Sequence, residues 1–408
     1  LFWSGLLLLG SGSCWDWLPE TDANRTLDTN FTFTLPSEVI PRDGLSPSRQ
    51  RLLQKTDFQL YNYITTGYDP QKVQRAVVML HGLGRDAWGY WDQGYVALLN
   101  ATARRETQSN SSSIRTGGVG GGEGGRPRLR ADEVVIMAPL FLNQEDSGCF
   151  PVDEEGNPTS NALVWNRADW AEGADSIFPN SIYDDDDKTN FTAPPVSSFE
   201  ALDAVVGFFS DRSRFPRMNT IIIAGHSLGA QMAQRYALIG AVPSRSVSVH
   251  FVVANPGSFA YLSDWRPRSV QDCPETYNNW KFGLAIYSQR YLSDFISKSL
   301  DTSNNISSVI DRYRKRAVSY LFGLLDSSPG DMRCEAKAQG LTHLSRGRNF
   351  IAHLDQLEGG FPSTHTVNFI PNVSHDGLGM FTSKAGLERL FYINLDGTES
   401  PSAVGDDD

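Results

Sequence analysis

This chain of 408 residues is poor in basic residues and in long apolar stretches. It has 36 lysines and arginines against 47 aspartates and glutamates, which gives a formal net charge of −11. That balance argues against nucleic acid and against an anionic membrane surface as partners. No internal run of apolar residues is long enough to cross a bilayer. We therefore expect neither a nucleic-acid partner nor a stable membrane anchor.

Cysteine is also scarce, with four residues in the whole chain. An even number is compatible with two disulfides in an oxidising compartment, and four cysteines allow three connectivities. The pairing of Cys273 with Cys334 and of Cys14 with Cys149 is favoured. Unpaired thiols in the core are the alternative.

The chain starts with a short apolar segment that is followed by small residues. Residues 1–13 are therefore interpreted as a truncated signal peptide, with cleavage after Ser13. Sequons for N-glycosylation agree with this, since such asparagines lie in surface loops of secreted proteins. We expect an extracellular protein. The sequon asparagines are Asn24, Asn30, Asn100, Asn110, Asn190, Asn305 and Asn372.

Segments typical of strands alternate with segments typical of helices along the chain. This alternation predicts an α/β protein with a mostly parallel central sheet and helices on both faces. A further short strand is predicted near 31–34, before the α/β core. The core strands are predicted at 58–64, 73–80, 133–139, 219–224, 247–254, 318–325 and 365–370.

The α/β core is assigned to residues 57–396, between an N-terminal extension at 14–56 and an acidic C-terminal tail at 397–408. Residues 109–130 predict a flexible, glycine-rich insertion. A phosphate-binding loop is disfavoured there because no Lys-Ser/Thr pair follows the glycines. Residues 255–315 are rich in aromatics and helical in their second half, and they predict a helical cap; simple packing of the aromatics on the sheet is compatible with it.

The most informative segment is Gly225-His-Ser-Leu-Gly229, between the apolar run at 219–224 and a helical pattern at 230–238. A G-x-S-x-G sequence between strand and helix is typical of a nucleophile elbow. The serine occupies a strained turn, and the two glycines let strand and helix approach each other. Ser227 is therefore the predicted nucleophile, and an ordinary tight turn is the alternative.

A serine hydroxyl needs a base that reaches its oxygen and a carboxylate that orients this base. Such groups are expected at the carboxyl ends of parallel strands. His375 follows the last predicted strand and is the predicted base. Asp326 ends the preceding strand and is the predicted acid, with Asp331 as the runner-up. The other histidines are assigned to motifs (His81, His226), to strands (His250, His365) and to surface or packing positions (His343, His353).

Two backbone N–H groups are expected to bind the oxyanion. The first belongs to Leu228, at the start of the helix behind the serine. The second belongs to Leu83, in the loop His81-Gly-Leu-Gly84 after an apolar strand, where Gly82 permits a sharp turn.

Together these motifs resemble the α/β-hydrolase superfamily over residues 57–396. More narrowly, the chain is similar to a largely uncharacterised group of secreted fungal and bacterial hydrolase-like proteins. The segments that carry the resemblance are 81–85, 197–200, 225–230, 235–237, 254–258, 266–267, 280–283, 320–326 and 338–340.

The resemblance implies an α/β-hydrolase fold and a catalytic triad of Ser227, Asp326 and His375, in this order along the chain. It does not fix a substrate, because this fold hosts many chemistries. One departure is the sequon at Asn372, three residues before His375. A glycan there would shade the site.

The sequence thus predicts a secreted serine hydrolase, with a carboxylic ester, small or polymeric, as the favoured substrate. Its chemistry requires no metal and no organic cofactor. A non-catalytic binding protein on a hydrolase scaffold is the main alternative. A peptidase or an acyltransferase of the same fold is a further one.

Overall fold

A β-sheet of eight strands forms the centre of the part of the chain that the structure describes. This structure is a computed structural model, and it describes residues 23–35, 46–112, 129–146, 149, 152–153, 159–184, 188–243, 247–285 and 303–393.

The strands of this sheet are short at one edge and longer in the middle. In chain order they are β1 (Arg25–Asp28), β2 (Asn62–Thr65), β3 (Arg75–Leu80), β4 (Val134–Pro139), β5 (Thr220–His226), β6 (Ser248–Ala254), β7 (Ala317–Gly323) and β8 (His365–Ile370).

The spatial order of the strands is β1-β2-β4-β3-β5-β6-β7-β8. β2 runs antiparallel to β1 and to β4, whereas the other pairs are parallel. This is the strand order of the α/β-hydrolase fold, so the predicted mostly parallel sheet is confirmed. We call the edge formed by the carboxyl ends of the parallel strands the carboxyl edge, and the opposite one the amino edge. Ligands of open parallel sheets bind at the carboxyl edge.

Each face of the sheet is covered by a hydrophobic core. In β5, Ile221 and Ile223 point into one core, and Ile222 and Ala224 point into the other. Alternate residues of a strand face opposite sides of the sheet. A strand that is apolar on both sides is therefore buried on both, as the unbroken run before Ser227 predicts.

Helices pack on both faces, and a capping box at Ser197 starts one of them. The α-helices that the structure describes are α1 (Pro47–Leu53), α2 (Ala87–Ser112), α3 (Ser198–Ser210), α4 (Leu228–Ile239), α5 (Ser303–Lys315), α6 (Cys334–Gln339), α7 (His343–Gln356), α8 (Gly377–Thr382) and α9 (Lys384–Leu387).

The assigned start of the core at residue 57 is wrong, because β1 belongs to the central sheet. β1 pairs with β2, with Arg25 opposite Thr65 and Asp28 opposite Asn62. It is a four-residue edge strand of mostly half-buried residues, so it lacks the apolar alternation that would predict it. A second short strand, Thr32–Phe33, matches the strand predicted at 31–34.

The predicted helical cap is not observed at residues 255–285, the described first part of the predicted segment. Residues 255–285 form turns and loops, and α5 begins at Ser303. The guanidinium of Arg266 fixes these turns by donating to the carbonyls of Ser263, Tyr277 and Phe282. Phe259 and Tyr261 are buried here, whereas Trp265 is 39% exposed. The ring of Phe259 stacks on Phe350 of α7 at 4.2 Å.

Several predicted segments fall outside the described residues. These are the signal peptide at 1–13, the acidic tail at 397–408 and residues 113–128 of the glycine-rich insertion. The insertion starts later than predicted, since α2 continues to Ser112.

One predicted disulfide joins Cys273 to Cys334. It links the turns at 255–285 to the start of α6. Cys149 is also disulfide-bonded, and its predicted partner Cys14 lies outside the described residues. No helix among the described residues combines the length and the apolar character needed to span a membrane.

Candidate active site

Ser227 lies in a sharp turn between β5 and α4, at the centre of the carboxyl edge. Its φ of 58° is in the left-handed region, which non-glycine residues avoid. Side chains at the flanking glycines would collide with backbone: a Cβ at Gly225 would overlap Gly229, and one at Gly229 would overlap the Leu80 carbonyl of β3. The turn therefore has the close packing that the G-x-S-x-G sequence predicts.

The structure brings the three predicted triad side chains together. Nε2 of His375 lies 3.0 Å from Oγ of Ser227, and its Nδ1 lies 2.8 Å from Oδ2 of Asp326. Asp326 follows the end of β7 and His375 follows β8, so neighbouring parallel strands deliver both groups to one edge. The runner-up acid, Asp331, instead forms an ion pair with Arg333 at 2.9 Å.

Asn255 holds the two loops that carry Asp326 and His375. Its side-chain NH₂ donates to the carbonyl of Ser374, and its side-chain oxygen accepts from the N–H of Gly323. One amide thus bridges the end of β7 and the residue before His375. No motif in the sequence predicts this role, although Asn255 lies directly after a predicted strand end.

The carboxylate of Asp326 is buried, whereas the side chain of His375 is 30% exposed. Burial alone raises the pKa of Asp326, but the polar contacts with His343 and His375 and the charges of these two residues outweigh it and hold the pKa well below its usual value. Asp326 is therefore an anion at neutral pH. An anion at Nδ1 favours the tautomer whose free Nε2 faces Ser227.

The rings of two further histidines contact the ring of His375. The ring of His343 stacks on it at 4.2 Å, and the ring of His226 lies at 4.5 Å. Burial and the neighbouring imidazoles lower the pKa of His226 to about 3, so it is neutral. Of the two positions predicted for His343, surface or packing, the surface one is wrong, since its side chain is 5% exposed. Beyond packing, its Nδ1 lies 3.2 Å from Oδ1 of Asp326.

The loop of the predicted oxyanion donor Leu83 lies beside the elbow and is fixed by His81. Nε2 of His81 accepts from the N–H of Phe141, and Nδ1 donates to the carbonyl of Gly82. Burial lowers the pKa of His81 to about 4, so the ring is neutral with both nitrogens bonded. A Cβ at Gly82 would come 2.7 Å from the hydroxyl of Tyr90. Leu228 is the first residue of α4.

The described residues contain one group of three side chains that could hold a metal ion, formed by Asp326, His343 and His375. Ligands bound to zinc at about 2.1 Å in a tetrahedron lie about 3.4 Å from one another. Nδ1 of His375 and Oδ2 of Asp326 are closer, at 2.8 Å, which is a hydrogen-bond length. The geometry favours a shared proton over a metal ion between these two atoms.

The sequon asparagines whose side chains the structure describes are exposed, and one of them is close to the site. Asn372 lies in the loop between β8 and His375 with φ of 59°. The side chains of Asn110 and Asn305 lie outside the described residues. The exposed ones are Asn24, Asn30, Asn100, Asn190 and Asn372.

No family model matches the chain, and no curated protein sequence is similar to it. Solved structures with a similar fold include a poly(aspartic acid) hydrolase-1 from Sphingomonas sp. KT-1, with 17% identity, 81% of this chain and 93% of that chain covered, and a TM-score of 0.47. A poly(3-hydroxybutyrate) depolymerase from Bordetella parapertussis has 15% identity, coverages of 82% and 88%, and a TM-score of 0.44. The feruloyl esterase module from Clostridium thermocellum has 10% identity, coverages of 94% and 93%, and a TM-score of 0.36.

Proposed function

We propose that this protein is a secreted serine hydrolase that cleaves carboxylic esters through an acyl-enzyme. The observation that carries the proposal is the chain of short contacts from Ser227 through His375 to Asp326, at 3.0 Å and 2.8 Å. Nucleophile, base and orienting carboxylate are the three groups that acyl transfer to serine requires. The sheet order and the strained serine support the same assignment.

In the first half of the reaction, Nε2 of His375 takes the proton of Ser227 as Oγ attacks the ester carbon. The N–H groups of Leu83 and Leu228 are the proposed donors to the oxyanion. His375 then gives its proton to the leaving alcohol, and the acyl group stays on Ser227. One such donor commonly contributes about 3–4 kcal/mol of transition-state stabilisation.

Water completes the second half of the reaction. His375 removes a proton from the water molecule as it attacks the acyl carbon, and then returns this proton to Oγ of Ser227. The released acid leaves the enzyme in its starting state. Asp326 stays ionised throughout and stabilises the imidazolium form of His375 in both halves.

Exposed apolar side chains around the site favour an ester with an apolar acyl chain. Large apolar residues are usually covered, and a cluster of exposed ones indicates a binding surface. Six that are between 38% and 64% exposed lie in the segments that follow β3, β7 and β8, five of them in loops and Leu378 in α8. They are Leu83, Leu324, Leu325, Met332, Leu341 and Leu378.

Secretion is supported by the disulfide between Cys273 and Cys334 and by the exposed sequons. Endoglycosidase treatment tests for glycosylation, when it is applied to protein that a eukaryotic host has secreted. A fall in mass supports glycosylation, and an unchanged mass contradicts it.

The experiment that tests the activity is hydrolysis of nitrophenyl esters of increasing chain length by the wild type and by Ser227→Ala. A buried methylene contributes about 0.8 kcal/mol. We therefore expect kcat/KM to rise by up to about fourfold per added methylene until the apolar surface is covered. Ser227→Ala should be inactive on all of them. Turnover of none of the esters by the wild type would favour the binding-protein alternative.

A further inference from the structure

Asp326 faces two imidazoles, and the reaction as proposed uses one of them. Its Oδ2 is bonded to His375, while its Oδ1 has no well-aligned hydrogen bond within the described part of the chain. The polar atom that faces Oδ1 is Nδ1 of His343, at 3.2 Å. Nδ1 of His343 also has no other described partner. A buried carboxylate oxygen without a donor is costly.

The contact between Oδ1 and Nδ1 is short enough for a hydrogen bond but is poorly aligned. Stacking explains this, since the rings of His343 and His375 lie nearly parallel, with 22° between their planes. Hydrogen bonds of catalytic groups often lengthen or tilt in the free enzyme and tighten during the reaction. A small tilt of the His343 ring would direct its N–H to Oδ1.

The backbone fixes His343 against this carboxylate. His343 is the first residue of α7, which Thr342 caps. The N–H of His343 donates to the carbonyl of Ser328, and the N–H of Leu344 donates to the carbonyl of Asp326. The start of the helix is thus bonded directly to the loop that carries the acid.

The loop also leaves room for the His343 ring. A Cβ at Gly330 would overlap its Nε2, and the backbone there has φ of +52°, which disfavours other residues. The absence of a side chain at Gly330 therefore makes room for the ring beside the acid loop, where it stacks on His375.

We infer that His343 is a positioning residue of the active site, which donates from Nδ1 to Oδ1 of Asp326 and supports the ring of His375 by stacking. With both carboxylate oxygens held, Asp326 cannot rotate away when His375 becomes protonated. The role rests on the proposed function, because it acts through the proposed acid and base. His343 itself touches neither the nucleophile nor the reacting carbon.

The test distinguishes the contribution of the Nδ1 donor of His343 from the contribution of its ring. His343→Phe keeps a stacking ring without a donor, and His343→Asn keeps a donor near the position of Nδ1 without the ring. His353→Phe is the control, since His353 lies in the same helix, is equally buried and packs against Tyr261. All three are measured for kcat, KM and thermal unfolding on one nitrophenyl ester.

We expect His343→Phe to lower kcat by about 10- to 100-fold with KM within about twofold, because misplaced catalytic groups cost rate and not ground-state binding. His343→Asn should recover most of the rate. The control should lower thermal stability without this loss of kcat.

Wild-type kcat in His343→Phe, or equal losses in His343→Phe and His343→Asn, would overturn the donor role. Such a result with turnover that still depends on Ser227 sinks this inference alone. Absence of any Ser227-dependent turnover in the wild type sinks the proposed function and this inference with it.

Discussion

Each of the two edges of the central sheet holds a cluster of polar side chains around a histidine, and the surroundings of the two histidines differ. At the carboxyl edge, His375 is partly exposed between an ionised carboxylate and a strained serine. At the amino edge, His365 is 4% exposed; it donates from Nε2 to the carbonyl of Tyr313 and accepts at Nδ1 from the hydroxyl of Tyr320.

We propose that this difference separates a reactive histidine from a structural one. His365 has neutral partners on both nitrogens, and burial lowers its pKa to about 4. No anion among the described residues stabilises a positive ring at His365, and its side chain has no open side for a substrate. His375 has an anionic partner and a side that is open to a substrate. Both histidines are hydrogen-bonded, so the two edges differ in the charge of the histidine's partner and in the accessibility of its ring.

The largest effect should come from exchanging the histidines one at a time for alanine. His375→Ala should lower kcat on a nitrophenyl ester by about 10⁴- to 10⁶-fold, since the serine loses its base. His365→Ala should keep kcat near the wild-type value and lower the free energy of unfolding by about 1–3 kcal/mol, because buried partners are left unpaired. Kinetics and denaturant unfolding check both. Equal kcat losses would erase the distinction between the edges.

A smaller loss of kcat is expected when the proposed acid is changed. Asp326→Asn should lower kcat by about 10²- to 10⁴-fold, because an amide cannot stabilise the imidazolium and favours the wrong tautomer. Asp331→Asn is the matched control in the same loop and should stay within about twofold of the wild type. If Asp331→Asn gives the larger loss, the acid has been assigned to the wrong residue.

The elbow can be tested through stability. Gly229→Ala should lower the free energy of unfolding by more than about 4 kcal/mol, or prevent folding, because its Cβ would overlap the Leu80 backbone. Gly207→Ala in α3 is the control: nothing lies within 4 Å of its Cβ, so it should stabilise the helix by about 0.5–1 kcal/mol. Urea unfolding measures both. A well-folded Gly229→Ala would contradict the close packing at the turn.

The smallest effect concerns pH and the amino edge. His365 has a pKa of about 4 against an ordinary value of 6.5, so between these values the unfolded chain binds a proton that the folded one does not. Its contribution to stability is therefore complete above pH 6.5 and is lost as the pH falls towards 4. Between about pH 7.5 and about pH 5 this loss is about 2 kcal/mol.

His365→Asn should accordingly flatten the fall in unfolding free energy over this range by about the same amount. The comparison needs urea unfolding of both proteins at each pH. Identical pH dependence in wild type and variant would show that His365 is not kept neutral by burial.

The predictions that succeeded depend on signals that are local in sequence. An apolar run, a G-x-S-x-G turn and a helical pattern follow one another directly at 219–238, so the position of Ser227 at the carboxyl edge could be predicted. The sequence indicates the strands before Asp326 and His375 equally clearly. Parallel neighbours deliver their ends to the same edge, which is why the three side chains could be expected to meet.

The predictions that failed depend on contacts between distant segments. His343 reaches Asp326 only because α7 begins against the acid loop, and no pattern around residue 343 indicates this. The aromatics of residues 255–315 predicted a cap, yet Phe259 and Tyr261 pack on α7 instead. β1 is too short and too polar to show a periodic pattern. Each of these features is defined by its partner and not by its own sequence.

Labelling with a fluorophosphonate probe followed by peptide mass spectrometry tests whether Ser227 is a nucleophile that His375 activates. We expect one modified residue, Ser227, with labelling abolished in Ser227→Ala and strongly slowed in His375→Ala. Modification of another residue, or ester hydrolysis that persists in Ser227→Ala, would contradict this assignment.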